Sequence, residues 1–466
     1  MTTATTADTG WGRFRADLQA ELLARIPEHL ERLSWSAGQI ESAQRDGLRR
    51  LLAHAVAHSP FHRQRLARAD VAGIEPAGLA SLPVMTKADM MAAIDDVFTD
   101  RRLTLGAVEQ ALAATGDQPV PVLGRYMALA TGGSTGRRGV FVFDPAAKAE
   151  FILSIIRSLL ARLHAGGGIP PGGLPLAMVG AASAVHATGA AAAQTIGPHT
   201  PLRVLPVPVT LPLPQIVDRL NAAQAPGLIG YPSALARLAA EQNARRLRIT
   251  PAVIVSTGET LLPEARAEIT AAFGTPVINT FASTEGLMGT SVPGGDVLAF
   301  NDDMCIIELV DADNRPVGPG VPSAKVLVTN LYNLAQPLIR YELADSFVRE
   351  PSAGGPGHLL ARVHGRADEV FHYQAGDQHP HVIRSVMVRS TEVADYQVRQ
   401  TRGGIEADII AASGGASTEA LRRQLVEALA HGGLSQPDVT VRIAGDLPRC
   451  AGSGKRRRFI PLSRVA

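Results

Sequence analysis

The chain has 466 residues, and its 45 Lys and Arg against 43 Asp and Glu give a formal net charge of +2. A charge so near neutral excludes a protein built mainly to bind nucleic acid, which needs an excess of basic residues against the phosphates. With 46% hydrophobic residues the chain is expected to fold, and its length predicts about two or three domains.

Cysteine content and hydropathy bear on where the protein resides. Two cysteines, Cys305 and Cys450, are too few for a disulfide framework or a four-cysteine zinc site, so we expect a cytoplasmic protein. Residues 1–10 lack the basic start and apolar core of an export signal. Residues 163–202 carry no charged side chain, but their apolar residues are mostly Ala and Gly, whereas a spanning helix needs about 20 strongly apolar residues. No membrane partner is expected.

The predicted elements run from helices to alternating strands and helices. Apolar residues recur at three- and four-residue spacings over 11–69, which predicts helices, and Thr86 is a predicted helix N-cap. A glycine-rich turn lies between two apolar runs at 130–139, and a helix is predicted over 145–162. Over 174–280, short apolar runs alternate with helical stretches, which is typical of βαβ units and a largely parallel sheet.

The C-terminal part has a different pattern. It is β-rich over 296–349, and 351–357 reads as a turn or linker of Pro and Gly. Further on, short strands surround a helix predicted over 418–430. The fold class is therefore predicted as α/β, with a large N-terminal domain of mainly parallel sheets, residues 1–363. A small α+β C-terminal domain, residues 364–466, completes it.

The turn at 130–139 reads Ala-Thr-Gly-Gly-Ser-Thr-Gly-Arg-Arg-Gly. Its amides, hydroxyls and arginines can hold phosphate oxygens, although a flexible hairpin is the alternative. It is not a Walker loop, because no Gly-Lys-Ser/Thr follows. The apolar runs on both sides favour a loop between two strands.

Two further segments come after predicted parallel strands, where ligands bind in such folds. In residues 279–286, Phe281 can stack on a base, Thr284 can bind a phosphate and Glu285 can hold Mg²⁺. Residues 256–260 end another strand. A hydroxyl ahead of a carboxylate also caps helices, and that alternative stays open for both segments.

Acidic and basic clusters follow near the C-terminus. Asp345 suits the two hydroxyls of a ribose, and 365–369 carries a second charged cluster; surface ion pairing is the alternative for both. Residues 447–458 are rich in arginine, which is typical of a solvated tail or an anion-binding patch. They also contain Lys455, one of only four lysines in the chain. The others are Lys87, Lys148 and Lys325.

In this order and spacing the segments resemble the adenylate-forming superfamily of acyl-CoA synthetases and adenylation domains, and most closely its phenylacetate–CoA ligase branch. The resemblance spans about residues 45 to 460. It rests on Leu-Pro-x-x-Thr-Lys-x-Asp (82–89), the Ser/Thr/Gly loop (130–139), Gly-Tyr-Pro-Ser (230–233), Phe-x-x-Thr-Glu-Gly (281–286), Pro-Leu-Ile-Arg-Tyr leading to an Asp (337–345), Gly-Arg-x-Asp (365–368) and Pro-Arg…Gly-Lys (448–455).

The resemblance implies a site for ATP and Mg²⁺. Gly258 and Glu259 would border the adenine, and Phe281 would stack on it. Thr284 would reach the α-phosphate, and Glu285 would bind Mg²⁺. The β- and γ-phosphates would be held by loop residues, namely Thr131, Gly133, Ser134, Thr135 and Gly136.

The resemblance also implies roles near the C-terminus. Asp345 would take the ribose hydroxyls, and Arg366 would support the ribose or a phosphate. Asp368 would be the hinge between the two domains. Lys455 would bridge the carboxylate and the α-phosphate as pyrophosphate leaves.

The acid-binding pocket is less well marked. His186, Tyr231 and Ala282 are candidate wall residues; an interior histidine remains the alternative for His186, and a helix cap for Tyr231. The chain also departs from the family pattern. Arg137 and Arg138 stand where the phosphate loop usually carries Lys, and Glu342 stands where a basic residue is common.

The leading hypothesis is an ATP-dependent ligase that adenylates a small aromatic or arylacetic acid and passes the acyl group to a thiol, with CoA as the expected acceptor. One alternative is an adenylating ligase of a natural-product pathway, with an amine acceptor or with nitrite as the activated acid. The other is a non-catalytic nucleotide-binding relative. The oligomeric state stays open.

Overall fold

The computed structural model describes twelve stretches of the chain, and the following account concerns these alone. They are residues 7–116, 118–131, 139–166, 168–169, 172–181, 201–351, 357–366, 369–378, 380–390, 392–412, 415–450 and 454–462.

The helices of the described residues confirm the predicted helical regions. They are α1 (Ala7–Arg32), α2 (Ala37–His58), α3 (Pro60–Arg65), α4 (Lys87–Ala92), α5 (Ile94–Val97), α6 (Leu105–Ala114), α7 (Pro145–Ala165), α8 (Leu213–Ala223), α9 (Pro232–Asn243), α10 (Pro263–Phe273), α11 (Pro380–Arg389) and α12 (Thr418–His431), with a 3₁₀ turn at Pro76–Ser81.

The strands alternate with helices in the middle of the chain, as predicted. They are β1 (Met127–Ala130), β2 (Val140–Phe143), β3 (Leu174–Gly180), β4 (Leu202–Pro208), β5 (Gly227–Gly230), β6 (Val253–Thr257), β7 (Val277–Ala282), β8 (Met288–Ser291), β9 (Leu298–Phe300), β10 (Cys305–Val310), β11 (Lys325–Asn330), β12 (Tyr341–Leu343), β13 (Asp345–Arg349), β14 (Leu360–Arg366), β15 (Phe371–Tyr373), β16 (Gly376–Gln378), β17 (Val393–Gln400), β18 (Gly404–Ala411), β19 (Asp438–Ile443) and β20 (Phe459–Ile460).

The chain divides into two compact units. The large unit comprises residues 1–343 and 347–363, and the small unit comprises residues 344–346 and 364–466. Asp345 therefore groups with the C-terminal unit, although it comes before the predicted linker.

A sheet of nine strands dominates the large unit, in the order β13-β14-β9-β8-β7-β6-β5-β3-β4. Strands β4, β3, β5, β6 and β7 are parallel, and β7, β8 and β9 are antiparallel. The predicted βαβ arrangement is thus confirmed for the residues described. The carboxyl ends of the five parallel strands meet at one edge of the sheet, which is where such folds bind ligands.

Alternation along β6 explains how both faces of this sheet are covered. Ile254 is fully buried in a core with Leu228 and Leu235, whereas its neighbour Val255 packs with Leu159 and Ile278 in another. Successive side chains of a strand point to opposite faces, so a run of apolar residues packs on two layers at once.

Local sequence signals account for the start of two helices near the candidate site. The Asp144 carboxylate accepts a hydrogen bond from the Ala147 amide (2.8 Å), and Pro145 follows as the first residue of α7. Thr86 is the N-cap of α4, as predicted, and Asp89 closes a capping box with it.

The small unit contains a four-stranded sheet in the order β19-β18-β17-β20. Its core joins α11, α12 and the sheet through buried side chains such as Ile383, Leu425, Val398 and Phe459. Among the residues described in either unit, no helix combines the length and the apolar character that crossing a membrane requires.

Candidate functional site

The carboxyl edge of the parallel strands gathers most of the candidate residues of the large unit. Tyr231 follows β5, Gly258 and Glu259 follow β6, and Phe281 and Ala282 end β7. Because β5, β6 and β7 are adjacent and parallel, these residues come to the same edge of the sheet. Thr284 and Glu285 occupy the turn that follows β7.

The turn after β7 is rigidly held. The Ser283 amide donates to the Leu287 carbonyl (3.0 Å), and the Leu287 amide donates to the Ser283 hydroxyl (3.1 Å). Gly286 has φ +106°, and a methyl group there would lie 2.3 Å from Asn330 Nδ2. Only glycine fits this position, because it tolerates positive φ and leaves room for the neighbouring side chain.

Asn330, at the end of β11, was missed by the sequence analysis. Its Nδ2 donates to the carbonyl of Glu285 (3.1 Å), and its Oδ1 accepts from the amides of Tyr332 and Asn333 (3.1 and 3.0 Å). The side chain thereby ties the Glu285 turn to the next loop. A lone Asn at a strand end carries no sequence signal for such a contact between residues 45 positions apart.

Electrostatics around Glu285 are set by burial. Glu285 is only 7% exposed. Burial raises the pKa of Tyr341, and the nearby carboxylates of Glu285 and Glu342 raise it further, so this phenol stays protonated. The Tyr341 hydroxyl is itself buried without a hydrogen-bond partner in the part of the chain that the structure describes.

Phe281 belongs to a cluster of three aromatic rings. Its ring meets those of Phe300 and Phe347 edge to face, at centroid distances of 6.2 and 5.1 Å. Phe300 and Phe347 are buried, and Phe281 is partly exposed. The two buried rings therefore fix the orientation of an aromatic surface that is open on one side.

Tyr231 immediately precedes α9, and the Glu259 side chain contacts the first turn of the same helix. Tyr231 occupies the N-cap position without a side-chain cap bond, and its hydroxyl accepts from the Ala181 amide (3.3 Å). Glu259 Oε2 accepts from the Ser233 amide (3.2 Å). Gly258 has φ +81°, which allows the chain to turn immediately after β6.

The ends of the predicted phosphate loop meet. Thr131 donates its amide to the Gly139 carbonyl (2.9 Å), and the Gly139 amide donates to the Thr131 hydroxyl (3.0 Å). The predicted loop between strands is confirmed, since β1 and β2 pair antiparallel on either side of it. The residues between these ends lie outside the described residues, as do His186 and Asp368. Those of the loop are Gly132, Gly133, Ser134, Thr135, Gly136, Arg137 and Arg138.

The outer edge of β2 is held by side chains rather than by a third strand. Gln336 Oε1 accepts from the Val142 amide (2.8 Å), and its Nε2 donates to the Val140 carbonyl (3.0 Å). Asn333 Nδ2 donates to the Val142 carbonyl (2.9 Å). These fully buried contacts fix where the loop begins and ends.

The acid at position 342 has a structural explanation. Glu342 on β12 forms an ion pair of 2.8 Å with Lys325 on β11. Arg340, two residues earlier, pairs with Glu308 (3.0 Å) and donates to the Ala80 carbonyl. Glu342 stands where a basic residue is common in the family pattern, and its negative charge is balanced by the neighbouring Lys325.

In the small unit, Asp345 and Arg366 form an ion pair of 3.1 Å. The Asp345 side chain is 8% exposed, and that of Arg366 is 37% exposed. The two candidate residues are therefore brought together, and the guanidinium is more exposed to solvent than the carboxylate.

The C-terminal basic run is not a solvated tail over its described part. Arg456 is buried and pairs with Asp395, and Arg458 pairs with the same carboxylate at 3.2 Å. The Cys450 amide donates to the Lys455 carbonyl (2.8 Å). This hydrogen bond joins the two ends of the segment that contains the glycines before the lysine. The sequence pattern missed this because the acidic partner lies about sixty residues away, on β17.

One cluster of possible metal ligands occurs among the described residues, namely Asp302, Asp303 and His358. Both Asp303 oxygens accept from Arg157 (2.6 and 2.8 Å), and Asp302 accepts from His358 (2.7 Å). Burial by itself would lower the pKa of His358. The hydrogen bond to Asp302 and the charge of that carboxylate have the larger effect, so the pKa of His358 is raised. The cluster is a buried ion-pair network that joins α7 to residues 301–303.

Comparison with solved structures identifies the fold. A structure of 2-hydroxyisobutyryl-CoA ligase in the postadenylation state matches with a TM-score of 0.65 at 19% identity, over 92% of this chain and 90% of that one. The amide bond synthetase McbA from Marinactinospora thermotolerans matches with a TM-score of 0.52 at 14% identity, over 70% of this chain and 66% of the other.

Sequence comparison alone is less informative. Protein CapK of Staphylococcus aureus is 30% identical over 132 residues, which is 28% of each chain. No family model matches the sequence. The fold that the motif resemblance implies is confirmed, because the chain shares the fold of these solved CoA ligase and amide bond synthetase structures. The matches do not distinguish the phenylacetate–CoA ligase branch.

Proposed function

We propose that the chain is an ATP-dependent ligase that adenylates a small aromatic or arylacetic carboxylic acid and transfers the acyl group to a thiol, with CoA as the expected acceptor. The observation that carries the proposal is the gathering of Phe281, at the end of β7, with Thr284 and Glu285, on the rigid turn that follows, at the carboxyl edge of the parallel strands. In a chain of this fold, an aromatic face, a hydroxyl and a carboxylate at that edge suit a nucleotide and its metal.

The first half-reaction joins two anions. A carboxylate oxygen of the acid attacks the α-phosphorus of ATP, the bond from that phosphorus to the bridging oxygen breaks, and pyrophosphate leaves with the electron pair. Such an attack needs charge neutralisation and alignment. Lys455 would bridge the two anions, and Thr284 would hold the α-phosphate.

The donor chemistry at Glu285 fits Mg²⁺, since hard cations prefer carboxylate oxygens and this carboxylate is buried next to the protonated Tyr341. When bound, Mg²⁺ supplies further positive charge to the phosphates. Thr131 and the loop residues Gly133, Ser134, Thr135 and Gly136 would bind the β- and γ-phosphates.

The nucleoside would be held by residues that the family resemblance assigns to it. Phe281 would stack on the adenine, and Gly258 and Glu259 would border it. Asp345 would accept from the ribose hydroxyls, supported by Arg366, and Asp368 would act as the hinge. His186, Tyr231 and Ala282 would line the acid pocket.

The second half-reaction would transfer the acyl group. A thiolate attacks the carbonyl carbon of the acyl adenylate, and AMP leaves with the oxygen that joined them. A structure of 2-hydroxyisobutyryl-CoA ligase that resembles this chain contains 2-HIB-AMP and CoA, which supports a thiol acceptor. The match to an amide bond synthetase supports an amine acceptor as the second candidate.

Pyrophosphate exchange into ATP tests the proposal. The full chain is assayed with Mg²⁺ and a panel of aryl, arylacetic and short aliphatic acids, with nitrite included. Exchange with an acid of the panel is expected, whereas ATP binding without exchange for any acid would favour the non-catalytic alternative and overturn the proposal.

The acceptor is tested separately, by adding CoA or an arylamine and following AMP release together with the acyl product. Thioester formation is expected. Amide formation in the absence of thioester would favour the second candidate, and a diazo product from nitrite would place the chain in the natural-product alternative.

A further inference from the structure

Three threonines lie side by side near the carboxyl edge of the large sheet. Thr257 ends β6, Thr280 lies on β7 and Thr290 lies on β8. The strand register places Thr257 opposite Thr280, and Thr280 opposite Thr290. Residues directly opposite each other on neighbouring strands point to the same face, with about 5 Å between the strands. These three side chains therefore form a continuous row on one face, which we call the threonine row.

The face that carries the threonine row is the one that packs on α7. Val255 and Ile278 each come two residues before a member of the row, and both pack with Leu159 of α7. Side chains two residues apart on a strand share a face, so the row continues this packed face towards the carboxyl edge. Phe281 directly follows Thr280 and points to the opposite face. The row is therefore separate from the aromatic surface of Phe281.

The hydroxyls of the threonine row form no hydrogen bond among the residues that the structure describes. Thr280 and Thr290 are nevertheless only 5% and 7% exposed, and Thr257 is partly exposed. A buried hydroxyl normally has a hydrogen-bond partner, because burial removes the water that would otherwise satisfy it. Ser291, next to Thr290, follows this rule and accepts from the Asn279 amide (3.0 Å). Three adjacent hydroxyls without a partner thus indicate a place for a polar group from outside the chain.

Apolar side chains surround the row on the same face. Val255 and Ile278 lie on the side away from the carboxyl edge, and Ala282 and Met288, which are paired in register, lie on the other side. Ala282 is a candidate wall residue of the acid pocket, and Thr284 follows it on the turn. Two residues of a strand span about 6 to 7 Å, so an acid whose carboxylate lies near Thr284 meets the row with its distant end. Ligand pockets commonly combine apolar walls with a few polar groups in this way.

We propose that the threonine row binds a polar ring substituent of the activated acid, so that the chain selects a hydroxy- or amino-substituted aromatic acid over the methyl-substituted analogue. The inference deepens the proposed function and rests on it. A threonine hydroxyl both donates and accepts a hydrogen bond, as do a phenol and an arylamine, whereas a methyl group of similar size does neither. The methyl analogue would leave buried hydroxyls unpaired, and that cost is the source of the selection.

Pyrophosphate exchange with matched acids measures the preference of the full chain. The value of kcat/KM is determined for hydroxy-, amino- and methyl-substituted benzoic and phenylacetic acids, with the substituent at each ring position in turn. In at least one matched set, the wild type should use the hydroxy or amino acid about 10- to 100-fold better than the methyl analogue. A ratio below about threefold in every set, or a preference for the methyl analogue, would overturn the inference.

Thr280→Val tests the centre of the row, because valine keeps the branched shape and removes only the hydroxyl. The ratio of the two kcat/KM values should fall towards one, through slower exchange with the polar acid and unchanged or faster exchange with the methyl analogue. Thr290→Val should act in the same direction, and Thr280→Ser, which keeps the hydroxyl, should retain most of the preference. Equal losses for both acids in Thr280→Val would indicate a general structural effect and contradict the inference.

Ser256→Ala is the matched control for these variants. The Ser256 hydroxyl is also buried without a hydrogen-bond partner in the described part of the chain, but Ser256 precedes Thr257 and so points to the other face of β6. Its removal should leave the ratio of the two kcat/KM values unchanged. A fall in this ratio as large as that in Thr280→Val would show that the face of the sheet does not matter, and would contradict the assignment.

The inference and the proposed function fail in different ways. A wild type that gives pyrophosphate exchange with no aromatic acid contradicts the proposed function. A wild type that gives exchange with these acids, but without preference for the polar substituent, contradicts the role of the threonine row alone.

Discussion

Two glycine-rich segments, one in each unit, carry candidate phosphate-binding groups, and both are closed by a backbone hydrogen bond. Thr131 and Gly139 close the segment of the large unit, and Cys450 and Lys455 close that of the small unit. The lysine of the small unit belongs to its segment. The lysine of the large unit, Lys87, reaches its segment from 44 residues earlier in the chain.

The two segments also differ in how they are anchored. Uncharged side chains, Gln336 and Asn333, hold the strand next to the first. Ion pairs hold the second, where Arg456 and Arg458 share Asp395. Similar glycine-rich sequences are thus stabilised by different interactions, namely uncharged hydrogen bonds in one unit and ion pairs in the other. A single substitution can remove either interaction without affecting the other.

The largest expected effect is on the charged anchor. In Asp395→Ala the buried guanidinium of Arg456 loses its main partner, and we expect the small unit to lose about 3 to 5 kcal/mol of stability. Hydrogen exchange of peptides from β17, β18 and β19, followed by mass spectrometry, measures this. Asp446→Asn is the matched control, because Asp446 is 67% exposed and lies 3.5 Å from Arg456. Equal increases in hydrogen exchange for Asp395→Ala and Asp446→Asn would show that the buried ion pair of Arg456 with Asp395 does not stabilise the small unit more than the exposed one with Asp446.

The next effect sharpens the comparison of the two lysines. Lys455→Ala should slow acyl-adenylate formation about 10²- to 10³-fold, by analogy with the removal of one preorganised donor. Its affinity for MgATP should change little. Single-turnover formation of the adenylate measures the first quantity. A variant that retains nearly full pyrophosphate exchange would refute the catalytic role of Lys455.

The uncharged anchor is tested by Gln336→Leu. The substitution leaves the Val142 amide and the Val140 carbonyl without partners in a buried site, at a cost of about 2 to 4 kcal/mol. Both tryptophans, Trp11 and Trp35, belong to the large unit, so denaturant unfolding followed by tryptophan fluorescence reports on it. The exposed Gln215→Leu is the control and should cost less than about 0.5 kcal/mol. Similar midpoints for the two variants would contradict the anchoring role.

The smallest effect concerns pH. His62 Nε2 contacts the Pro337 carbonyl (3.0 Å) next to Gln336, and burial, with Arg65 nearby, lowers the pKa of His62 to about 4. The unfolded chain therefore binds a proton first as the pH falls below about 6.5, and stability is lost between that value and about 4.

Unfolding of the wild type and of His62→Gln at pH 8 and pH 4.5 measures this contribution. The wild type should lose about 2.5 kcal/mol more than the variant, which does not titrate in this range. Parallel losses in the two proteins would show that His62 does not cause the acid sensitivity of the large unit.

The alternation of apolar and helical patterns predicted the βαβ part of the fold well, because strands such as β3 and β6 are mostly apolar and buried, and proline marks the start of α8, α9 and α10. The candidate residues at strand ends followed from the same pattern. Asn330 and Gln336 could not be found in this way, since their partners are other backbone segments and their own neighbours give no signal.

The sequence by itself determined the succession of strands and helices along the chain over residues 174–280. Local periodicity, proline and capping residues set this succession because they act within a few positions of one another. It also determined that phosphate-binding residue types follow strands β6 and β7. Only the tertiary structure decided which charges remain available to a ligand. Arg456 and Lys325 are paired with acids far apart in sequence, whereas Lys87 lies against Thr131, and such pairings depend on which strands and loops pack together.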